Sequence, residues 1–245
     1  MFDTHFDVLL CDTTESRDWH YELRYDVYCI DRAYENASAF PDKRERDNHD
    51  AESVHFLVRN RTNGQFVASM RLVVGEPSEL PFWHHCQLDK PKEHAALGKS
   101  AEISRLSIIP AYRNWRMRAN EVSGNADIVR ENDMGTVVEL RERRYPDILV
   151  GLLRAGYHYS FASGIDHWFA LQSDSLSHIL LGLGFNMQPA GPLQDYRGMR
   201  RPYLSELSQF LSGVEGKSPR TRDFFMRQPA YKRFSDESYS LVSCG

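Results

Sequence analysis

Charged side chains interrupt two apolar stretches that are expected to form buried β-strands. Arg71 lies within SMRLVV, and Glu102 and Arg105 lie within AEISRLSII. A charged group buried in a strand is costly unless an opposite charge or a ligand satisfies it. A carboxylate held in such surroundings is suited to act as a general base. These residues therefore indicate acid–base chemistry near the middle of the fold.

The spacing of Glu102 and Arg105 predicts an irregular strand. The two residues are three positions apart, and on a regular strand they would point to opposite faces. A β-bulge between them would turn both toward one cleft and leave a backbone N–H unpaired. An unpaired N–H of this kind is available to a ligand.

A third charged cluster lies in the loop segment ERDNHD, which contains Asp47 and Asp50. Two residues separate these carboxylates, which stand in a loop rather than on an obvious solvent face. A purely structural interpretation of the charged residues stands beside the chemical one, because ion-pair networks also place charges in strands. In that interpretation Arg71 neutralises Asp47 or Asp50, and Glu102 pairs with Arg105.

Helical periodicity predicts the first element that positions these residues. A helix beginning after the N-cap candidates at 12–14 places an apolar stripe on one face, with Arg24 and Tyr28 at its border. The predicted stripe consists of Trp19, Leu23, Val27 and Ile30.

The remaining pattern predicts a sheet. Two alternating segments flank the turn residues Asn63 and Gly64, which favour a tight hairpin. The predicted strands are 6–11, 54–60, 65–74, 101–109, 165–171, 184–187 and 201–204, with further helices at 146–163 and 173–182. This order predicts an α/β (α+β) fold: a mixed central β-sheet with helices on both faces.

One domain is expected over residues 1–213, with a polar insertion at about 113–145. Residues 214–245 are expected to form a basic, partly ordered C-terminal tail, which would permit peripheral membrane association.

Composition excludes several classes of protein. The net charge of -4 and pI of about 6.2 argue against bulk binding to nucleic acid. The four cysteines are scattered without CxxC spacing, and the histidines show no HxxxH pattern, so neither a disulfide framework nor a metal site is predicted. Neither a secretory signal nor a long apolar span is apparent, so a cytoplasmic location is expected.

The charged segments also carry a resemblance to known families. RYDVYCIDRAY, ERDNHD, SMRLVV and AEISRLSI, in this order, resemble the N-terminal half of the acyl-homoserine-lactone synthases. The overall match is more similar to the PEP-CTERM/exosortase-associated acyltransferases, relatives of the long-chain N-acyl amino acid synthases. It covers roughly residues 5–205 and implies the GNAT acyltransferase fold. The positions that match the family's charged residues are Arg24, Asp47, Asp50, Arg71, Glu102 and Arg105.

Two departures from the family pattern bear on the substrates. Tyr28 and Tyr34 stand where the lactone synthases usually have phenylalanine and tryptophan, which weakens the case for an S-adenosylmethionine pocket. The loop PAYRNWRMR lacks the glycines that bring backbone N–H groups to a pyrophosphate. An acyl carrier protein is therefore a more natural donor than coenzyme A. Its phosphate or acidic surface would meet Arg113, Arg116 and Arg118, unless this loop is simply a solvated one.

The resemblance implies an N-acyltransferase that moves a fatty acyl group from an acyl carrier protein or acyl-CoA thioester to the amine of an amino acid, with no tightly bound cofactor. Two alternatives remain: an acyl-homoserine-lactone synthase that uses S-adenosylmethionine, and a catalytically silent acyl-binding module. The predicted catalytic residues are Glu102, Ser104 and Arg105, and the predicted substrate-binding residues are Arg24, Tyr28, Tyr34, Asp47, Asp50 and Arg71.

Overall fold

A mixed β-sheet organises the computed structural model, which describes residues 2–113 and 144–237. The strands are β1 (Phe6–Leu10), β2 (Ser53–Asn60), β3 (Phe66–Gly75), β4 (Ser100–Ile108), β5 (His167–Gln172), β6 (Gln188–Pro189), β7 (Gln194–Asp195), β8 (Met199–Glu206) and β9 (Lys232–Arg233). Their order is β6-β8-β5-β4-β3-β2-β1-β9, and β7 pairs with β8. Neighbouring strands are antiparallel except at β4–β5 and β1–β9, which are parallel. The predicted hairpin is confirmed as β2 and β3.

Helices connect and cover these strands. The α-helices are α1 (Phe2–His5), α2 (Thr14–Tyr25), α3 (Pro81–His85), α4 (Pro91–Ala95), α5 (Pro110–Arg113), α6 (Arg144–Ala162), α7 (Asp174–Leu183), α8 (Val214–Lys217) and α9 (Pro219–Met226). A π-helical segment, Asp26–Asp31, continues directly from α2. The N-cap of α2 is Thr13, whose hydroxyl accepts from the N–H of Ser16 at 3.1 Å.

The two faces of the sheet are covered by different helices. Leu57 packs with Leu23 of α2 and with Val27 of the π-helical segment that continues it. Its neighbours Phe56 and Val58 pack in the large core that contains α6. Since successive strand residues point to opposite faces, α2 and α6 lie on opposite sides of the sheet. The predicted mixed sheet with helices on both faces is therefore confirmed.

Part of the predicted α2 stripe is wrong. Leu23 and Val27 are buried, but Trp19 is 44% exposed and Ile30 is 62% exposed. Ile30 leaves the buried side because the chain winds as a π-helix from Asp26, and its wider turn rotates later residues away from the α-helical stripe. Trp19 lies at the border, with its ring 5.7 Å from that of Phe66.

The predicted strand at 184–187 is also wrong. Gly184 ends α7 at φ +92, and a Cβ there would clash with the carbonyl oxygen of Gly213. Phe185 turns into an aromatic core, with its ring 4.8 Å from Phe210 and 5.3 Å from Phe225. This packing delays strand pairing until Gln188, where the short β6 begins.

The described part of the predicted tail packs onto the domain. Residues 214–237 contain α8, α9 and β9, and Val214, Phe225 and Phe234 are buried. Strand β9 pairs in parallel with β1. The prediction of a partly ordered appendage is therefore wrong for residues 214–237, because their apolar side chains are part of the core. Within the described residues, no helix combines the length and apolarity that crossing a membrane requires.

Candidate active site

A β-bulge in β4 brings the charged residues of this strand to one face. Arg71 pairs with Ser104, and Ser69 pairs with Ser107, so two residue steps on β3 match three on β4. Arg105 occupies this extra length at φ +48, in the left-handed region. The predicted bulge is therefore present, centred on Arg105 itself. Without it, Arg105 would point to the face opposite Ser104.

A cleft of about 410 Å³ opens where β4 and β5 separate. Their parallel pairing ends at Ile103 and Ala170, and the cleft is lined by residues beyond this point. Glu102 and Ser104 line it from the face of the sheet that carries α2, while Leu149 of α6 lines it from the other face. The cleft thus joins a polar half to an apolar half. The apolar half is formed by Ile103, Leu149, Leu153, Leu176, Leu180 and Met187.

Two arginines meet at one carboxylate beneath the polar half. The Nη1 atoms of Arg24 and Arg71 lie 2.6 and 2.9 Å from Oδ1 of Asp50. The other oxygen of Asp50 accepts from the N–H of Asp47 at 2.7 Å. Burial alone would raise the pKa of Asp50, but Arg24, Arg71 and the backbone donor hold it well below its usual range.

A second set of ion pairs holds the bulge. Nη2 of Arg105 lies 3.1 Å from Oε1 of Glu45 and 2.9 Å from Oδ2 of Asp47. Nε of Arg24 reaches the other oxygen of Glu45 at 2.5 Å, and Nη1 of Arg71 reaches Asp47 at 2.6 Å. Burial opposes ionisation of Glu45 and Asp47, yet the arginines lower the pKa of both carboxyls. Three carboxylates therefore balance three arginines.

The structure separates the predicted substrate-binding residues into two groups. Arg24 and Asp50 are buried, do not line the cleft and are ion-paired to each other. Asp47 and Arg71 line the cleft, although both are ion-paired. The expected Arg71–Asp pairing is thus present. The expected Glu102–Arg105 pair is not, because Arg105 pairs with Glu45, Asp47 and Glu35.

Glu102 lines the cleft, and the pKa of its carboxyl is raised. Its side chain is nearly buried, and Oε2 accepts a hydrogen bond from the N–H of Phe82 at 2.6 Å. Burial raises the pKa of Glu102 to about 7, against the lowering effect of that donor and of Arg71 and Arg105. Such a carboxyl exchanges a proton near neutral pH, as a general base must.

Aromatic rings form one wall of the polar half. Tyr28, in the π-helical segment, and Tyr34 both line the cleft, and their ring centroids are 5.7 Å apart. The guanidinium of Arg105 lies over Tyr28 at 5.3 Å, and that of Arg200 lies over Tyr34 at 5.6 Å. The two predicted tyrosines are therefore together at the site.

The predicted carrier-binding residues are described only in part. Arg113, in α5, lines the cleft, donates to the carbonyl of Ile108 at 3.1 Å and pairs with Asp31 at 2.7 Å. Arg116 and Arg118, and residues 114–143 of the predicted insertion, lie outside the described residues.

Sequence reasoning missed Glu45 and two cleft arginines, Arg197 in the β7–β8 turn and Arg200 at the start of β8. Glu45 carried a signal, because it lies within ERDNHD only two residues before Asp47. Arg197 and Arg200 carried none, since arginines near a turn are ordinary surface residues until the fold places them at a cleft.

Two buried histidines near the site are held neutral. The rings of His20 and His55 lie 4.6 Å apart. Burial lowers the pKa of His55 to about 4 and that of His20 well below its usual value. Among the described residues, no group of three His, Cys, Asp or Glu side chains is arranged to hold a metal ion.

Comparisons with known proteins agree with this architecture. Residues 23–121 match the model of the acetyltransferase (GNAT) domain. The acyl-homoserine-lactone synthase LasI superposes with a TM-score of 0.57 and 16% identity, covering 86% of this chain and 96% of its own. The CoA-dependent acyl-homoserine-lactone synthase BjaI, solved with SAM and isopentyl-CoA, gives 0.58 and 15%, covering 94% and 92%.

FeeM, an N-acyl amino acid synthase from uncultured soil microbes, gives a TM-score of 0.51 and 11% identity, covering 85% of this chain and 94% of its own. No curated protein sequence matches the chain. At these identities the structural likeness establishes the GNAT fold.

Proposed function

We propose that this chain is an N-acyltransferase that moves a fatty acyl group from a carrier thioester to the amine of an amino acid. The observation that carries the proposal is the position of Glu102, a carboxyl with a pKa of about 7 on the wall of the cleft. On the face of the sheet that carries α2, Glu102 faces a polar half, and the cleft continues into an apolar half beyond the sheet. A base, a polar acceptor pocket and an apolar acyl pocket are the parts that this reaction needs.

In the proposed reaction Glu102 takes a proton from the attacking ammonium, directly or through a water molecule. The amine nitrogen then adds to the thioester carbonyl and forms a tetrahedral intermediate. The strand β4 has no β5 partner beyond Ile103, and residues 104–106 line the cleft. A backbone N–H there would stabilise the oxyanion. Collapse forms the amide, breaks the C–S bond and releases the thiol, which leaves with a proton.

Ser104 and Arg105 support this chemistry in different ways. Oγ of Ser104 accepts from Nε of Arg71 at 3.1 Å, so the hydroxyl is fixed at the cleft wall and available to the thioester. Arg105 is held by its carboxylates at the bulge, and its charge lowers the pKa of Glu102 against the effect of burial. We assign Ser104 a contact with the acyl donor and Arg105 the maintenance of the bulge.

An acyl carrier protein is the proposed donor, with acyl-CoA as the other candidate. The short helix α5 follows β4, and its segment PAYR contains no glycine that would expose successive N–H groups to a pyrophosphate. The narrower resemblance to the PEP-CTERM-associated acyltransferases is part of the same proposal.

The lactone synthases give a second candidate function. BjaI binds SAM, and in this chain an aromatic wall of Tyr28 and Tyr34 stands at the polar half of the cleft. A SAM-dependent reaction would release methylthioadenosine, which the preferred reaction does not. A silent acyl-binding module would bind the carrier and produce neither compound.

The test is expression of the chain in a bacterium, with untargeted mass spectrometry of organic extracts and the Glu102→Gln variant as the control. The expected result is a set of N-acyl amino acids in the wild-type extract alone. Acyl-homoserine lactones would support the second function instead. If neither product appears, purified acyl carrier and acyl-CoA substrates are assayed over an acceptor panel. A failure of transfer there, with carrier binding retained, would leave the silent module.

A further inference from the structure

The arginines along the cleft differ in whether a carboxylate neutralises them. Among the described residues, six arginines line it, and five of these have a carboxylate oxygen within 4.0 Å. Arg200 has no such partner among the described residues. The neutralised five are Arg32 with Asp31, Arg71 with Asp47 and Asp50, Arg105 with Glu45 and Asp47, Arg113 with Asp31, and Arg197 with Glu35.

The Arg200 guanidinium is fixed in place without being neutralised. Its Nε donates to the carbonyl of Tyr196 at 3.2 Å, and its Nη2 donates to the carbonyl of Arg197 at 3.3 Å. The group lies over the ring of Tyr34 at 5.6 Å. Two neutral carbonyls and a ring face orient the guanidinium but leave its positive charge for a ligand.

We propose that Arg200 binds the carboxylate of the acceptor amino acid and so selects a zwitterionic acceptor over a simple amine. This inference rests on the proposed N-acyltransferase function and names the chemistry of its acceptor. Buried arginines such as Arg71 and Arg105 are poor candidates for that role, because each already serves at least two carboxylates. A further anion beside them would compete with Asp47 and its neighbours.

The cleft also presents carboxyl groups to the ammonium group of the acceptor. Asp47 lines the cleft, and its side chain is 28% exposed. Burial raises the pKa of its carboxyl, but Arg71 and Arg105 hold that pKa below its usual value. Glu102 lines the same polar half. An amino acid placed with its ammonium toward Glu102 and Asp47 and its carboxylate toward Arg200 would satisfy both of its charges.

The test measures binding, so that it does not depend on turnover. N-octanoyl and N-dodecanoyl derivatives of several neutral amino acids are titrated calorimetrically into the wild-type protein, each beside its primary amide. The wild type is expected to bind the best carboxylate about 10- to 100-fold more tightly than its amide, the range typical of a charge-assisted hydrogen bond. Arg200→Gln is expected to abolish this preference, and Arg200→Lys to restore part of it.

Arg201→Gln is the matched control. Arg201 is the next residue on β8, so its side chain points to the other face, and it does not line the cleft. This variant is expected to keep the preference for the carboxylate, and thermal unfolding checks that both variants fold. Equal loss in both variants, or a preference that Arg200→Gln leaves intact, would overturn the proposal.

A second binding experiment tests whether Arg200 binds the carboxylate of the acceptor or the phosphate of the acyl donor. Free phosphopantetheine is titrated into the same proteins, and Arg200→Gln is expected to leave its affinity unchanged. Weakened phosphopantetheine binding with unchanged carboxylate preference would assign Arg200 to the donor and overturn the inference. Failure of the wild type to bind any carboxylate also overturns it. Absence of acyl transfer despite carboxylate-selective binding would instead refute the proposed function alone.

Discussion

Arg24 and Arg71 approach the same oxygen atom, Oδ1 of Asp50, at 2.6 and 2.9 Å. The two arginines come from different elements, α2 and β3, and both are almost completely buried. One carboxylate therefore joins a helix to the sheet beneath the cleft. If it is removed, two buried cations lose a shared counter-ion, and that loss costs more than the pair itself contributes.

The Asp50→Asn variant is expected to lower the free energy of unfolding by about 3–5 kcal/mol, the range found when one member of a buried ion pair is removed. Chemical denaturation monitored by tryptophan fluorescence measures this. Asp42→Asn is the control, because Asp42 pairs with Arg46 on the surface and should contribute little. Similar small effects at both positions would contradict the assigned role of Asp50.

Glu102 is expected to make the protein less stable as the pH rises. Its folded-state pKa of about 7 lies above the ordinary value of 4.5, so the folded state holds the proton more tightly than the unfolded chain. The contribution of Glu102 to the free energy of unfolding is then greatest below pH 4.5 and falls as the pH rises toward 7. The full change amounts to about 3 kcal/mol.

Comparison of the wild type with Glu102→Gln isolates this contribution, because the amide keeps the shape without the charge. We expect the variant to gain stability relative to the wild type between about pH 4.5 and 7 and to hold that gain above. Denaturation curves over this range measure the difference. A difference that is flat with pH would place the pKa of Glu102 near its ordinary value.

The same carboxyl should set the acidic limb of the pH–rate profile. General-base catalysis requires ionised Glu102, so kcat should rise about tenfold per pH unit and level off near pH 7. Steady-state assays with a saturating donor measure this limb. Deprotonation of the acceptor's amine could also produce an acidic limb, and an acceptor whose amine has a lower pKa separates the two causes. A limb set by Glu102 keeps its position on the pH axis with that acceptor, whereas a limb set by the amine shifts to lower pH.

Much of the fold could be predicted because its main elements have simple patterns. Alternation marked β2 and β3, and the turn residues Asn63 and Gly64 between them fixed the hairpin. The π-helical segment at Asp26–Asp31 was not predictable from periodicity, because the same residues fit an α-helical stripe equally well. It changes which side chains leave the core, and Ile30 is one of them.

The candidate site was predictable where charge appeared in an apolar context. Arg71 and Glu102 stood out for that reason, and the three-residue step to Arg105 indicated the bulge. Arg200 lies in a polar segment, where a charged residue is ordinary and carries no signal of its own. Glu45 was marked only by its position in ERDNHD, two residues before Asp47. Only the fold brings Glu45 to the buried arginines and Arg200 to the cleft.

The apolar half of the cleft should set the length of the acyl chain. Leu176 of α7 lines it and is only partly buried, so a larger side chain can be accommodated at modest cost. Leu176→Trp is expected to shorten the longest accepted chain while short-chain transfer keeps nearly wild-type kcat. Leu181→Trp on the same helix is the control, because Leu181 is 61% exposed and does not line the cleft.

Competition between acyl donors of graded chain length measures this, with product ratios read by mass spectrometry. A shift toward shorter products in Leu176→Trp alone would place the acyl chain between α6 and α7, on the face of the sheet opposite α2. An unchanged length distribution in that variant, with the protein still folded, would mean that the acyl chain lies elsewhere. Glu102 would then have to act on a thioester that reaches it from the polar half of the cleft.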